Sequence, residues 1–408
     1  MRPSQFVKNV ALLASSAVFA QAIPVALSPV ISRLYDPAQF GVFAVFMSAI
    51  AIISPLTTGR YDIPILLPRS NANAIAILCV ALISTAAITL LLAIAVSIHH
   101  FVAGGEIIVL LLPLLVMIAG FVQCSYAWEN RNERYRNMAA SRIGRGVFLP
   151  ISQLLLHTFG SVGLVCGQII GEATAAAWLL VCQRHEIALI KSVSVSRIMR
   201  QATKHASFPL YSVPAGLVNV FSAQMPLLLL SSFFSIETVG FYGFTNRVLA
   251  APLNLIANAF LDVFKQQASR DFAADGSCSR VFADTFWKLA ILSAPPFIVL
   301  GLFGPRIFSF VFGEKWIISG EFARALSILF CVRFVATPLS YVLFITGRQR
   351  MNLFWQIGLF VVTGAALAIG FADESVETAL WAMSFLLTPM YVLNLWMSYR
   401  SAVGVVTR

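Results

Sequence analysis

Three arginines stand where a cation is costly or conspicuous. Arg247 lies deep in one apolar run, Arg333 inside another, and Arg60 centres a Gly-Arg-Tyr triplet just past a third. A guanidinium is a planar fork that donates two parallel hydrogen bonds to phosphate oxygens. Two such groups in one cavity would hold a pyrophosphate. Each has a structural use as well: a salt bridge or a carbonyl cap for Arg247 and Arg333, a helix anchor for Arg60. Beside Arg247, Asn246, Asn254, Asn258 and Asp262 recur at multiples of four and so share one slowly drifting helical face. A polar stripe is unstable against lipid, so this one lines either water or another helix. Glu172 follows Gly163, Gly167 and Gly171, a small-xxx-small spacing that marks a close-packed face. It either pairs with a cation or carries a coupling proton, because a carboxyl inside a membrane needs a partner or a function.

Covalent chemistry has no comparable constellation. The sequence holds no nucleophile elbow, no phosphate-binding glycine loop and no paired-carboxylate motif. The six cysteines are scattered without C-x-x-C, and the five histidines show no H-x-x-x-H, so neither a metal nor another cofactor is expected. An enzyme is therefore not expected either, and the pattern favours moving a substrate over making one. A net charge of +11 would suit nucleic acid. Its distribution argues instead for basic loops facing anionic membrane lipid.

The elements that must position these residues are membrane spans. The chain is 59% apolar and 11% charged, against about a quarter charged in soluble proteins. Apolar stretches lie near 9–32, 37–59, 72–98, 107–128, 144–161, 163–182, 207–232, 238–262, 286–312, 322–346, 351–371 and 378–399, about 12 spans. Placing the N-terminus inside puts 22 of the 28 basic residues in inner segments and four (Arg33, Arg306, Lys315, Arg324) outside, so both termini are expected in the cytoplasm. Arg2, Lys8 and Ala20-Gln21-Ala22 imitate a signal peptide, but the charge-free stretch 9–32 is long enough to span, and an uncleaved first helix is expected. A basic linker, 184–206, divides two six-helix bundles, 1–183 and 207–408. It interleaves Ile187, Ile190, Ile198 and Met199 with Arg184, Lys191, Arg197, Arg200 and Lys204, as an inner loop or a segment lying on headgroups would. Phe40-Gly41-Val42-Phe43 and Val239-Gly240-Phe241-Tyr242 echo each other faintly, as parallel repeats do.

Three stretches carry a family resemblance: Ser32–Pro68, Val239–Ile256 and Phe303–Trp316. The first resembles the N-terminal signature of the bacterial polysaccharide-biosynthesis transporters. These are the O-antigen or lipid-linked-oligosaccharide flippases of the MOP exporter superfamily. The resemblance implies an all-α inner-membrane protein with two six-helix bundles around a central cavity. It implies an undecaprenyl-pyrophosphate-linked glycan as substrate, membrane lipids as surroundings, and a polysaccharide polymerase and chain-length regulator as partners. Short outer loops set the chain apart from fourteen-helix lipid II flippases. On this reading Arg247, Arg333 and Arg60 are pyrophosphate ligands, Asn246, Asn254 and Asn258 line the cavity, and Glu172 is a coupling carboxylate. The competing classes are a cation-coupled drug exporter of the same superfamily, which would prefer an acidic or apolar cavity, and a membrane glycosyltransferase or ligase.

Overall fold

The computed structural model describes residues 3–104, 106–186, 193–252 and 256–404, and at 3–14, 17, 103, 251–252, 258–259 and 262 the backbone alone. Every regular element among them is helical, as hydrocarbon demands of a chain whose backbone must satisfy its own hydrogen bonds. The chain falls into two compact units, Met1–Gln224 and Met225–Arg408.

The first unit holds α1 (Pro3–Leu34), α2 (Pro37–Thr57), α3 (Asn71–Ala103), α4 (Leu112–Arg131), α5 (Tyr135–Leu155), α6 (Ser161–Cys182) and the short α7 (Val195–Lys204). It also holds the first part of α8 (Val213–Phe233). Pro37 opens α2, and the Gln39 side chain turns back to accept from the Asp36 backbone N–H at 3.1 Å. The second unit takes the rest of α8, then α9 (Ile236–Pro252), α10 (Asn258–Asp275), α11 (Ser279–Phe312), α12 (Ile317–Leu339), α13 (Gln349–Ala372) and α14 (Val376–Ala402).

Nine helices among the described residues are long and apolar enough to cross a membrane. The other three expected spans are helical but fall short by that measure. Described side chains of α1 give an apolar stretch of Val18–Leu34, α9 is 17 residues long, and α5 carries Arg136, Arg142 and Arg145. Helix α5 begins at Tyr135 rather than near 144, so these arginines ride on the helix instead of filling a loop. Arg142 stacks over the Tyr126 ring at 5.4 Å, and Arg145 finds a carboxylate on α6.

Helices in lipid gain little from hiding apolar surface, so close packing must hold them together. The glycine seam of α6 does this against α5. A Cβ at Gly171 would stand 2.7 Å from Leu149 Cβ, and Gly163 and Gly167 abut the Leu156 carbonyl and Gln153. In the second unit Gly304 of α11 and Gly320 of α12 meet, a Cβ on either falling 2.5 Å from the other's carbonyl oxygen. Aromatic rings fill the adjoining layer: Phe244 packs on Trp316 at 4.1 Å and edge-on to Phe312 at 5.0 Å between ring centroids.

Helix α7 is docked on the first unit. Ile198 packs against the buried cluster of Ile75, Leu78 and Trp128, and the Tyr61 hydroxyl donates to the Ala202 carbonyl at 3.0 Å. Val195, Met199, Arg200 and Lys204 stay exposed, while Ile187, Ile190 and Lys191 lie outside the described residues.

The seam is testable. Gly171→Ala should lower the thermal unfolding midpoint in detergent, an overpacking cost of about 1–3 kcal/mol. Gly364→Ala, whose Cβ would meet only Met225 Cε at 3.8 Å, should leave the midpoint unchanged or raise it. Equal midpoints for the two variants would contradict the seam.

Candidate functional site

Arg60 is the candidate with the most built surroundings. Gly59 and Arg60 both take left-handed backbone angles, φ 57° and 59°, directly after α2. Glycine adopts this freely, whereas arginine does so at a cost of roughly 1–2 kcal/mol. The turn is held from both sides. Asp62 accepts from the Thr58 hydroxyl at 2.6 Å and from Gln123 Nε2 of α4 at 3.0 Å, and Tyr61 reaches α7. Asp62 is thus engaged by neutral donors rather than by Arg60. The guanidinium lies against Gly216 in the first turns of α8, with Cζ 3.2 Å from where a Cβ on 216 would stand. Pro55 Cβ lies at the same distance from that position. Arg60 Nε is buried with no hydrogen-bond partner. Sequence reasoning chose Arg60 but missed its cradle, because Gly216 is 156 positions away and carries no chemistry of its own.

Arg247 sits on α9, which the second-half motifs hold in place. The Thr245 hydroxyl donates to the Ser319 carbonyl at 2.9 Å, and the Ser319 hydroxyl donates back to the Phe241 carbonyl at 3.1 Å. Phe241 and Phe244 anchor on Trp316. Arg247 and Asn246 are half-buried. Arg247 has neither an ion pair nor a hydrogen bond among the described residues. Asn254 lies outside the described residues, and so do the side chains of Asn258 and Asp262, leaving Asn246 as the described member of the stripe.

Arg333 is exposed on α12. Its guanidinium lies 5.6 Å from the Phe330 ring, and it interacts electrostatically with the buried Tyr242 of α9. It therefore shares helix neighbours with Arg247, through α9 and α12, without touching it. No group of acids, histidines and cysteines arranged to hold a metal occurs among the described residues.

Glu172 is engaged. Arg145 Nη2 of α5 stands 2.8 Å from its carboxylate, and Gln168 Nε2 donates to it at 3.4 Å. The cation beside Glu172 is thus Arg145 of α5. A second polar cluster went unforeseen. Fully buried Glu129 accepts from Asn137 at 2.7 Å and Gln183 at 3.0 Å, while Arg134 pairs with Glu186 at 2.5 Å. Five charged or amide residues from α4, α5 and the segment after α6 thus lock one end of the unit.

Nine helices long and apolar enough to cross a membrane, counted among the described residues, define a polytopic helical membrane protein. The fold agrees. The lipid II flippase MurJ in an inward closed conformation superposes with a TM-score of 0.73 over 96% of this chain and 87% of that one, at 13% identity. An inward-facing multidrug resistance transporter of the MATE family, in the MOP superfamily, gives 0.69 over 95% and 98%, also at 13%. Residues 30–320 match the family model described as polysaccharide biosynthesis protein, and the chain belongs to that family. A curated relative, the teichuronic acid biosynthesis protein TuaB of Bacillus subtilis (strain 168), is 22% identical over 196 residues, 47% of this chain and 40% of that protein. The matched region thus spans less than half the length of that relative.

The Arg145–Glu172 pair yields a double-mutant test. Arg145→Ala strands a buried carboxylate and should lower stability by about 1–3 kcal/mol, less than for a fully buried pair because Arg145 is 41% exposed. Adding Glu172→Gln should recover most of that loss in unfolding midpoint and membrane abundance. Failure of the second change to rescue would show that the pair does not hold the helices.

Proposed function

We propose that this protein carries an undecaprenyl-pyrophosphate-linked oligosaccharide from the cytoplasmic to the periplasmic leaflet of a bacterial inner membrane, by alternating access, for polysaccharide assembly. The proposal includes twelve spans with both termini in the cytoplasm, the count being completed by α1, α5 and α9. The family supplies the pathway, and Arg247 is the observation that carries the mechanism. A cation inside a span, with no carboxylate beside it among the described residues, is poised for an anion that arrives and leaves. A pyrophosphate cannot cross hydrocarbon bare, because stripping its water is prohibitive. Guanidinium donors replace that hydration step by step, Arg60 first, then Arg247 and Arg333, with Asn246, Asn254 and Asn258 meeting sugar hydroxyls. Glu172 would couple transport to a proton by releasing Arg145 when protonated. A cationic drug is the poorer fit, since the buried acid Glu172 of α6 is already paired with Arg145.

Topology is the first check. Reporters fused after Arg408 and placed near Asn132 should both signal cytoplasm, and a periplasmic signal at either would overturn the orientation or the span count.

Arg247 is the second. Arg247→Ala should abolish surface glycan while membrane abundance stays near wild type, and Arg247→Lys should restore export only in part, keeping the charge without the fork. A structural arginine would instead take the protein out of the membrane when removed. Normal export by an abundant Arg247→Ala protein would remove Arg247 from the mechanism.

A further inference from the structure

The second unit contains a slot that neither the arginines nor the packing motifs use. It is a cavity of about 660 Å³ between α11, α12 and α14, within the roughly 300–1,000 Å³ typical of small-ligand sites. Its long wall follows α11 from Phe282 to Ala294, about 18 Å at 1.5 Å per residue. That is more than half of a hydrocarbon core about 30 Å thick. Phe286, Trp287, Trp396 and Tyr399 give it aromatic sides. Trp287 and Trp396 are 63% and 52% exposed, so the slot opens sideways rather than into the bundle. Its polar groups are few, and two of them answer each other: Cys331 Sγ donates to Ser293 Oγ at 3.7 Å. A charged or sugar-like ligand would be stranded there.

The two ends of the slot differ. One runs in toward Pro295-Pro296, mid-way along α11. The other lies where α11 begins and α14 ends, and it is basic. Arg400 lies 4.7 Å over the Trp396 ring, and Arg280 stands two residues before Phe282. The first two turns of α11 carry a single acid, Asp284. An apolar slot one leaflet deep with a cationic mouth is complementary to one kind of molecule, a long hydrocarbon chain bearing a phosphate.

We infer that this slot holds the polyisoprenoid tail of the lipid-linked substrate, with its phosphate at the Arg280 and Arg400 mouth, before the headgroup crosses. The inference rests on the function proposed above. Flat aromatic walls suit a methyl-branched, unsaturated chain, which presents methyl and alkene edges to ring faces. The slot is also distinct from the Arg333 position. At 100° per residue, Arg333 points roughly 150° away from the arc of Cys331, Val332 and Val335 that lines the slot. Tail and headgroup ligands therefore occupy opposite faces of α12.

Two measurements test this on the full-length protein in phosphatidylethanolamine–phosphatidylglycerol nanodiscs. A photoreactive phenylalanine at Ala290, in the slot, should crosslink a labelled undecaprenyl pyrophosphate. Unlabelled undecaprenyl phosphate should displace the label, and added phosphatidylglycerol should not. The same group at Phe360 on α13 should show no such selectivity. Crosslinks to phospholipid that undecaprenyl phosphate cannot displace would overturn the proposal and make the slot an annular lipid site.

The second measurement fills the slot with Ala290→Trp and compares two glycan carriers in proteoliposomes. Translocation of the undecaprenyl-linked glycan should fall about tenfold or more as the tail loses its buried methylene contacts. A geranyl-linked analogue, too short to use the slot, should move at the wild-type rate. Equal effects on the two carriers, or none, would overturn the slot. Wild-type protein that moves neither carrier would instead overturn the proposed function. Should Ala290→Trp fail to fold, the crosslinking comparison decides alone.

Discussion

Hydrocarbon offers no hydrogen bonds, so whatever polarity a span carries must be answered by protein or by cargo. Many of the described residues meet this demand, although buried side-chain atoms of Thr89, Trp128, Asn394 and Ser398, among others, have no partner. Hydroxyls inside helices donate to carbonyls one turn back, as Thr85 does to Ala81 and Thr363 to Leu359. Amides and indoles reach across to neighbours, Gln153 to the Leu164 carbonyl and Trp355 to the Met390 carbonyl. Glu172 has Arg145, and Glu129 has Asn137 and Gln183. Against that background a half-buried arginine in α9 with no described partner is an open electrostatic account. On the function proposed above, its cost would be met when an anion is present, tying the energetics of the resting protein to a transient ligand.

The same solvent removes most of the hydrophobic drive between helices, and geometry takes its place. That explains what the sequence motifs do. The glycines of α6 and the Gly304–Gly320 contact let backbones approach until dispersion and shape hold them. The motifs around Val239 and Phe303 look like site signatures, yet most of their residues pack on one another. Phe241 and Phe244 of one meet Phe308, Phe312 and Trp316 of the other. Arg247, three residues beyond Phe244, occupies the neighbouring position on the same side of α9, so the aromatic layer fixes the segment of helix that carries the charge.

Helix identity, the close-packed glycine face and the place of Arg60 just past α2 were legible because each depends on local composition and spacing. Partnerships were not. Arg145 gave no sign of its partner, because Glu172 lies 27 positions away on the next helix. Hydropathy misjudged the start of α5 at Tyr135 because an amphipathic first turn with stacked arginines reads as a loop. Gly216 gave no signal, since a glycine that accommodates a guanidinium is indistinguishable from one that merely breaks a pattern. The linker was read as lying free on headgroups or as an ordinary loop. Ile198 instead turns inward onto the α3–α4 core, and two alternating apolar residues of that short helix, Val195 and Met199, remain outside.

The Arg60 turn shows how local strain and tertiary contact become one device. A left-handed arginine persists only where its surroundings over-determine it. Here Thr58, Gln123 and Tyr61 fix the turn from α2, α4 and α7. The guanidinium, by contrast, rests on α8, whose start is irregular. A π-helical turn at Phe208–Ser212 precedes it, with Pro209 and Pro214 at its start. Three elements thus hold the turn, while the guanidinium lies against a glycine that has no side chain to obstruct it. Any rotation of α8 that turns Gly216 away must either bring a side chain into the guanidinium or release it, so the position of this cation is slaved to the geometry of α8 rather than to that of the helix that carries it.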